Sequence, residues 1–339
     1  MRYLEAAKEC TFMATSPKKR VGGVRHWLDD ASDDSIIKDV INSWPFRRLA
    51  GISFLGAIDY ISLGDSGLST ARRTRQQHSL HVAALANFVA SNRGYSEEVR
   101  RHLVVAALLH DIGHAPLSHS VEPHFKSALG FGHHEMGLRI IDGEYRRCKP
   151  IARLLRNKCD LSLIIALIEG KAPTHLGGDL FSAKINIDTI DGIWRSCMSL
   201  AGSALGMDRI AVANAAFLAK GEHGQDTLDH FWRLKDFTYN QFITSEAGLL
   251  ADWRSQTYFQ KYHVPLDEAD LIERESAWRK DHPMLFLSLK GGRAPLRSSE
   301  GKKVRSLPFV KRQYWVSNAQ DNEDRYQVTK RDEVLSVIG

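Results

Sequence analysis

The segment AALLHDIGHAPLSH, residues 106 to 119, ends an apolar run in an adjacent histidine and aspartate, His110 and Asp111. Burying an imidazole and a carboxylate there is costly unless something compensates, and a divalent cation bound by both does so. On a helix of 3.6 residues per turn the two side chains diverge by about 100°, close enough to reach one ion near the helix end. Gly113 then turns the backbone and frees His114 to approach the same cavity. Upstream, TRQQHSLHVAAL puts His78 at the start of an amphipathic stretch, and downstream KINIDTIDGI offers Asp188 two residues after Asn186. Two imidazoles and two carboxylates form a mixed nitrogen and oxygen set. It suits one divalent ion, with Mn, Fe, Co, Ni or Mg as candidates, and lacks the sulfur that marks structural zinc.

The elements that must hold these residues are mainly helical. Leu80, Val82, Leu85 and Val89 recur near a 3.6 period, as do Val99, Leu103, Ala106 and His110. Ser96 is an N-cap for the second of these helices, Glu97 and Glu98 sit in its positive first turn, and Gly113 is expected to stop it in a left-handed conformation. Helical patterns continue over 161–169, 187–201, 210–220, 227–243 and 247–262. Beyond Pro283 the pattern changes to a basic cluster and two strand-like runs, Tyr314-Trp315-Val316 and Tyr326-Gln327-Val328-Thr329. The chain divides on this reading into a flexible leader (1–35), a helical domain (36–266) and a basic C-terminal appendage with short strands (267–339). The fold class is mainly α with a small mixed α/β appendage.

Five segments in order, PFRRLAGISFLG (45–56), TRQQHS (74–79), LLHDIGHAPLSH (108–119), HHEMG (133–137) and LIEG with INIDTID (167–170, 185–191), resemble the HD-domain phosphohydrolases, and within them the deoxynucleoside triphosphate triphosphohydrolase branch. The resemblance covers roughly residues 44 to 260 and implies an HD-domain helical bundle that hydrolyses a nucleotide phosphate ester. It implies that His78, His110, Asp111 and Asp188 ligate a single metal and that Arg75 contacts phosphate. It places His114, Glu122 and His134 around the reacting phosphate, with His134 and Glu122 paired to move a proton. His81, His119, His124 and His133 are read as solvent-facing or core histidines. The chain departs from the branch at Phe54, where a sugar-reading glutamine is expected, and at Thr189, Gly192 and Ser196, where lysine, tyrosine and aspartate are expected. Chemistry is retained on this reading while sugar recognition is altered, unless neighbours such as Arg195 or Tyr60 compensate.

The bulk properties narrow the alternatives. With 339 residues, 43% hydrophobic and 25% charged, the chain can bury a full core and is not of disordered composition. Four widely spaced cysteines form neither a zinc knuckle nor a disulfide framework, and no apolar run reaches the length of a membrane span. The N-terminal residues do not read as a secretory signal, so a cytoplasmic address is expected. A net charge of +6 and a pI near 9.1 favour anionic partners. The expected partner is a nucleotide substrate, and a homo-oligomer is expected. The stretch 289–315, where aromatics follow positive charge, is a candidate nucleic-acid surface. The competing functions are therefore an HD nuclease or phosphodiesterase and a nucleotide-sensing protein that kept the fold.

Overall fold

The structure is a computed structural model that describes residues 23–61, 73–219, 224–261, 267–290 and 304–338. At its centre are two long helices, α2 (Arg75–Asn92) and α3 (Glu97–Leu109), reversed through a turn in which Gly94 takes a φ of +68°. Their facing sides, Val82 to Ala90 and Leu103 to Leu109, are fully buried. Helix α1 (Val24–Ala31) packs on α2 and buries Val24 and Ala31, so ordered structure begins within the segment read as a leader. Residues 1–22 of that leader lie outside the described residues.

Both central helices start as their sequences dictate. Thr74 accepts from the Gln77 amide while the Gln77 side chain reaches back to the Thr74 amide, a reciprocal cap that fixes where α2 begins, three residues before His78. Ser96 accepts from the Val99 amide at 3.3 Å to start α3. At the other end the outcome differs from expectation. Helix α3 stops at Leu109, and Gly113 is not among the left-handed residues. Its missing side chain serves close approach instead, because a Cβ there would lie 1.9 Å from the His133 carbonyl oxygen and 2.4 Å from the Gly137 nitrogen. The turn after His110 is thereby pressed against α5 (His133–Asp142), which follows the short α4 (Glu122–Leu129).

Helix α6 (Ile187–Ala201) packs on α2, and α7 (Gln225–Thr238) packs on α6 and continues into a π-helical turn over Tyr239–Ile243. Helix α8 (Glu246–Lys261) follows, and Gln256 on it donates to the Ser120 carbonyl at 3.1 Å. Residues 267–290 are helical and include α9 (Glu275–Asp281). The strands are longer than the two short runs expected. β1 (Val304–Val316) and β2 (Tyr326–Ile338) pair antiparallel over 13 residues each, from Val304 opposite Ile338 to Val316 opposite Tyr326. This ribbon lies on α7 and buries Tyr314 and Tyr326. Among the described residues no helix is long and apolar enough to cross a membrane.

Candidate metal centre

His78 comes from the first turn of α2, His110 and Asp111 from the residues just after α3, and Asp188 from the first turn of α6. The structure brings all four together. His78 Nε2 is 2.9 Å from Asp188 Oδ1, 3.3 Å from His110 Nε2 and 3.6 Å from Asp111 Oδ2. His110 Nε2 is 3.5 Å from Asp111 Oδ1 and 3.8 Å from Asp188 Oδ1. Asp111 is buried, whereas the Asp188 side chain is 52% exposed and marks the open side of the cluster.

The far nitrogens explain why these donors face one another. His78 Nδ1 donates to Asp191 Oδ2 at 2.8 Å, and His110 Nδ1 donates to the Ala107 carbonyl at 2.7 Å. Each bond fixes the tautomer and leaves the Nε2 lone pair aimed into the cluster. Two lone-pair nitrogens and two carboxylates at these separations repel each other unless positive charge lies among them. The same demand shows in His110: burial opposes its charging, yet Asp111 and Asp188 push its imidazole up to about 9. The donor set therefore fits a divalent cation.

Asp191 was not singled out from the sequence, although it is visible in INIDTID. Three residues after Asp188 on α6, it lies on nearly the same helix face but deeper, where it also accepts from Arg195 and Arg209. Burial works against its charge, but Arg195 and His78 hold the carboxyl well below the usual range.

On the Asp111 side lies a group of residues suited to an anion. Arg75, buried at the start of α2, donates through Nη1 to Asp111 Oδ2 at 2.8 Å and through Nε to Ser118 Oγ at 3.1 Å, with its guanidinium 4.8 Å over the Phe54 ring. His114 is buried, stacks on His133 at 4.1 Å between ring centres, and has Nε2 3.2 Å from Asp111 Oδ1. Burial, with Arg75 and His133 nearby, holds its imidazole well below the ordinary range, so it is neutral near pH 7.

Glu122 pairs differently from the sequence reading. Its carboxylate accepts from His133 Nδ1 at 2.7 Å and lies 3.0 Å from His119 Nδ1, so His133, not His134, is its histidine partner on α5. Burial raises a carboxyl's pKa, but these two imidazoles outweigh it and leave Glu122 well below the usual range. His134 is exposed on the next position, its ring 4.0 Å from that of His133. His119 and His133, read from sequence as bystanders, thus belong to the cluster: ring nitrogens of His114, His119 and His133 lie within 4.8 Å of one another.

The positions of departure are occupied in definite ways. Thr189 forms a reciprocal cap with Asn186 at the start of α6, its amide donating to the Asn186 side chain at 2.8 Å. Ser196 turns back to the Gly192 carbonyl at 2.9 Å. The Phe54 ring fills the space beside Gly192 and stands 4.8 Å from the His78 ring.

Residues 75–177 match the family model of the HD domain. That span holds three of the four clustered donors, with Asp188 beyond it. Among curated relatives, the chain is similar to an uncharacterized protein of Mycoplasma pneumoniae, with 32% identity over 171 residues, 46% of this chain and 37% of the relative. It is also similar to a deoxyguanosinetriphosphate triphosphohydrolase-like protein of Bradyrhizobium diazoefficiens, with 35% identity over 106 residues, 30% of this chain and 24% of the relative. The chain therefore matches well under half the length of these relatives. In fold it is similar to a hypothetical protein of Aquifex aeolicus (TM-score 0.61, 18% identity, 90% of this chain and 93% of the other). A Bacteroides thetaiotaomicron phosphohydrolase matches with TM-score 0.61 and 16% identity over 88% of this chain and 94% of its own.

Proposed function

We propose that this protein is a metal-dependent phosphohydrolase that cleaves a phosphate ester of a nucleotide. The observation that carries the reading is the convergence of His78, His110, Asp111 and Asp188, with both imidazole Nε2 lone pairs turned inward beside the buried cation Arg75. A divalent ion held there supplies Lewis acidity toward a phosphoryl oxygen and lowers the pKa of water, and Mn, Fe, Co, Ni and Mg all suit the donors.

The chain's own residues then have distinct tasks. Arg75 offsets phosphate charge through a planar guanidinium held by Asp111 and Ser118. Neutral His114 offers hydrogen-bonding nitrogens to the reacting group without adding charge. Glu122 and His133 hold or pass a proton, and His134 steadies the His133 ring by packing on it. A nucleotide substrate is supported by the deoxyguanosinetriphosphate triphosphohydrolase-like relatives, and altered sugar reading by Phe54, Thr189, Gly192 and Ser196. With this reading go a cytoplasmic setting, consistent with the free thiols of Cys148, Cys159 and Cys197, and self-association.

The test is metal analysis together with a Mn-supplemented panel of ribo- and deoxynucleotides, run on the parent and on Asp111→Ala. About one ion per chain and release of phosphate, pyrophosphate or triphosphate are expected of the parent, and the variant loses both. Full metal occupancy in the variant would overturn the ligand assignment. A metal-loaded parent that cleaves no nucleotide would overturn the substrate class.

A further inference from the structure

The C-terminal ribbon has two outer edges, and the fold closes one of them. The Ser317 amide donates to the Arg325 carbonyl at 2.8 Å. Pairs in step with it, such as Gln313 with Thr329 and Lys311 with Arg331, therefore share the ladder bonds, and the residues between them turn their amides and carbonyls outward. On β1 the outward residues include Pro308, which has no amide hydrogen, and Tyr314, whose amide donates to Asp236 on α7 at 2.8 Å. The ribbon meets α7 and the π-helical turn through β1. On β2 the outward residues are Val328, Lys330, Asp332 and Val334. Beyond Gln327, whose carbonyl accepts from Trp232, β2 makes no hydrogen bond or ion pair outside the ribbon among the described residues. It is an open edge without proline.

Such an edge invites pairing with another chain, and charges of one sign are an ordinary guard against it. β2 carries both signs, in an order that a reversed copy of itself complements. Val328, Lys330, Asp332 and Val334 share one face and read apolar, positive, negative, apolar. Turned antiparallel about Arg331, Lys330 lies opposite Asp332 of a second copy, Asp332 opposite its Lys330, and each Val328 opposite a Val334. The two valines are 42% and 60% exposed. Lys330 and Asp332 are exposed and, among the described residues, their side chains have no ion-pair or hydrogen-bond partner. Within the ribbon Lys330 stands opposite Arg312, a like charge, and Asp332 opposite Val310. This register also suits the backbone. Outward residues of two antiparallel copies face each other only when the two-fold axis is level with a residue rather than between two, and the charge order selects Arg331. Arg331 then meets its own copy on the other face, with Glu333 of the second copy at the diagonal position that long side chains reach.

We propose that β2 is a dimerisation edge: two copies of this chain pair antiparallel through β2, two-fold about Arg331, and join their ribbons into one four-stranded sheet. The proposal rests on the self-association read above and gives it a surface and a register; it uses none of the phosphohydrolase chemistry.

The experiment is sedimentation velocity over a concentration series of the full chain, for the parent, Lys330→Asp, Asp332→Lys and the double swap. Each single change sets like charges opposite one another twice across the axis and is expected to weaken association about tenfold or more, whereas the swap restores opposite pairs and association with them. A second arm uses oxidation of Arg331→Cys, read by non-reducing electrophoresis. Two such cysteines face each other with Cα atoms about 4.5 Å apart, within disulfide range, and a reducible covalent dimer is expected. In Glu333→Cys the two thiols are offset by about 13 Å along the strands, and no dimer beyond the parent's is expected. Single variants that associate as the parent does overturn the edge, and a double swap that stays dissociated, or equal cross-linking at both positions, overturns the register. Should a charge variant not fold, the cysteine pair decides alone. A parent that is monomeric throughout overturns self-association itself, a result distinct from failure of this surface, and neither bears on metal binding or hydrolysis.

Discussion

Asp191 does not reach into the candidate metal centre, yet it fixes which nitrogen of His78 does. Its carboxylate is fully buried and serves His78, Arg195 and Arg209 together, so removing its charge leaves two guanidinium groups without their paired carboxylate. Asp191→Asn is expected to weaken metal affinity by about 10- to 100-fold, read by competition with a chromophoric chelator, while Asp188→Asn acts on the ion directly. Metal affinity equal to the parent's in Asp191→Asn would show that the Nδ1 bond is incidental. At this scale the sequence made the adjacent His-Asp pair and the distant His78 and Asp188 legible, because each lies where an apolar pattern meets a polar residue. It could not separate His133 from His134. Helix phase decides that choice, and the phase is set by where α5 starts, at Gly132, whose lack of a side chain lets Lys126 and Glu122 approach within 3 Å of the missing Cβ position.

The helices were legible because their apolar faces repeat at 3.6 and, for α3, because Ser96 caps the first turn; the caps at Thr74, Asn186 and Asp208, which likewise accept from amides, emerge from the structure. The ribbon was only partly legible. Lys311, Arg312, Lys330, Arg331 and Asp332 interrupt both strands, and a strand half exposed to water tolerates charge that a buried one would not. A lone two-stranded sheet is marginal in water and needs an attachment. Here Asp229 on α7 accepts from Nε and Nη2 of Arg325, at 2.8 and 2.6 Å, and from the Tyr326 hydroxyl at 3.0 Å. Burial works against the charge of Asp229, but Arg325 and Tyr326 outweigh it and set its pKa below the usual value. A folded value below the unfolded one, about 3.9, means the attachment is complete above that pH and is lost as pH falls through the folded value. Amide protection in the ribbon, corrected for intrinsic exchange, is expected to hold from pH 7 to about 5 and to drop below about 4. Asp229→Asn is expected to lower protection already at pH 7 and to flatten the acid dependence. Parent protection that persists unchanged to pH 2 would remove Asp229 from this role.

Across the whole molecule, two buried side chains join segments more than 200 residues apart. Arg48 donates to the Ile112 and His114 carbonyls at 2.6 and 2.8 Å and to those of Leu271 and Glu273 at 3.3 Å. Glu275, on α9, accepts from the Ser53 amide at 2.8 Å, the Ser53 hydroxyl, the Leu117 amide at 3.2 Å and the Tyr60 hydroxyl. Leu117 and Ser118 both hold a positive φ, +62° and +47°, a conformation disfavoured outside glycine that needs such support. Segment 267–290, grouped by composition with the basic tail, is therefore bonded to the turn that carries His110 and Asp111. Composition could not show this, since most of these bonds run to backbone groups that carry no sequence signature. Glu275→Ala strands the buried Ser53 and Leu117 amides and is expected to cost about 3 kcal/mol of stability by denaturant titration. A loss under about 0.5 kcal/mol, the range of an ordinary surface substitution, would refute that support. The same long reach orders events in time. A nascent chain emerges at about 5–20 residues per second, so His78, His110, Asp111 and Asp188 have all left the ribosome before Glu275 is made. Until then the turn between α3 and α4 lacks its final bonds, so an ion bound by the proposed donors would be held securely only late in the birth of the protein.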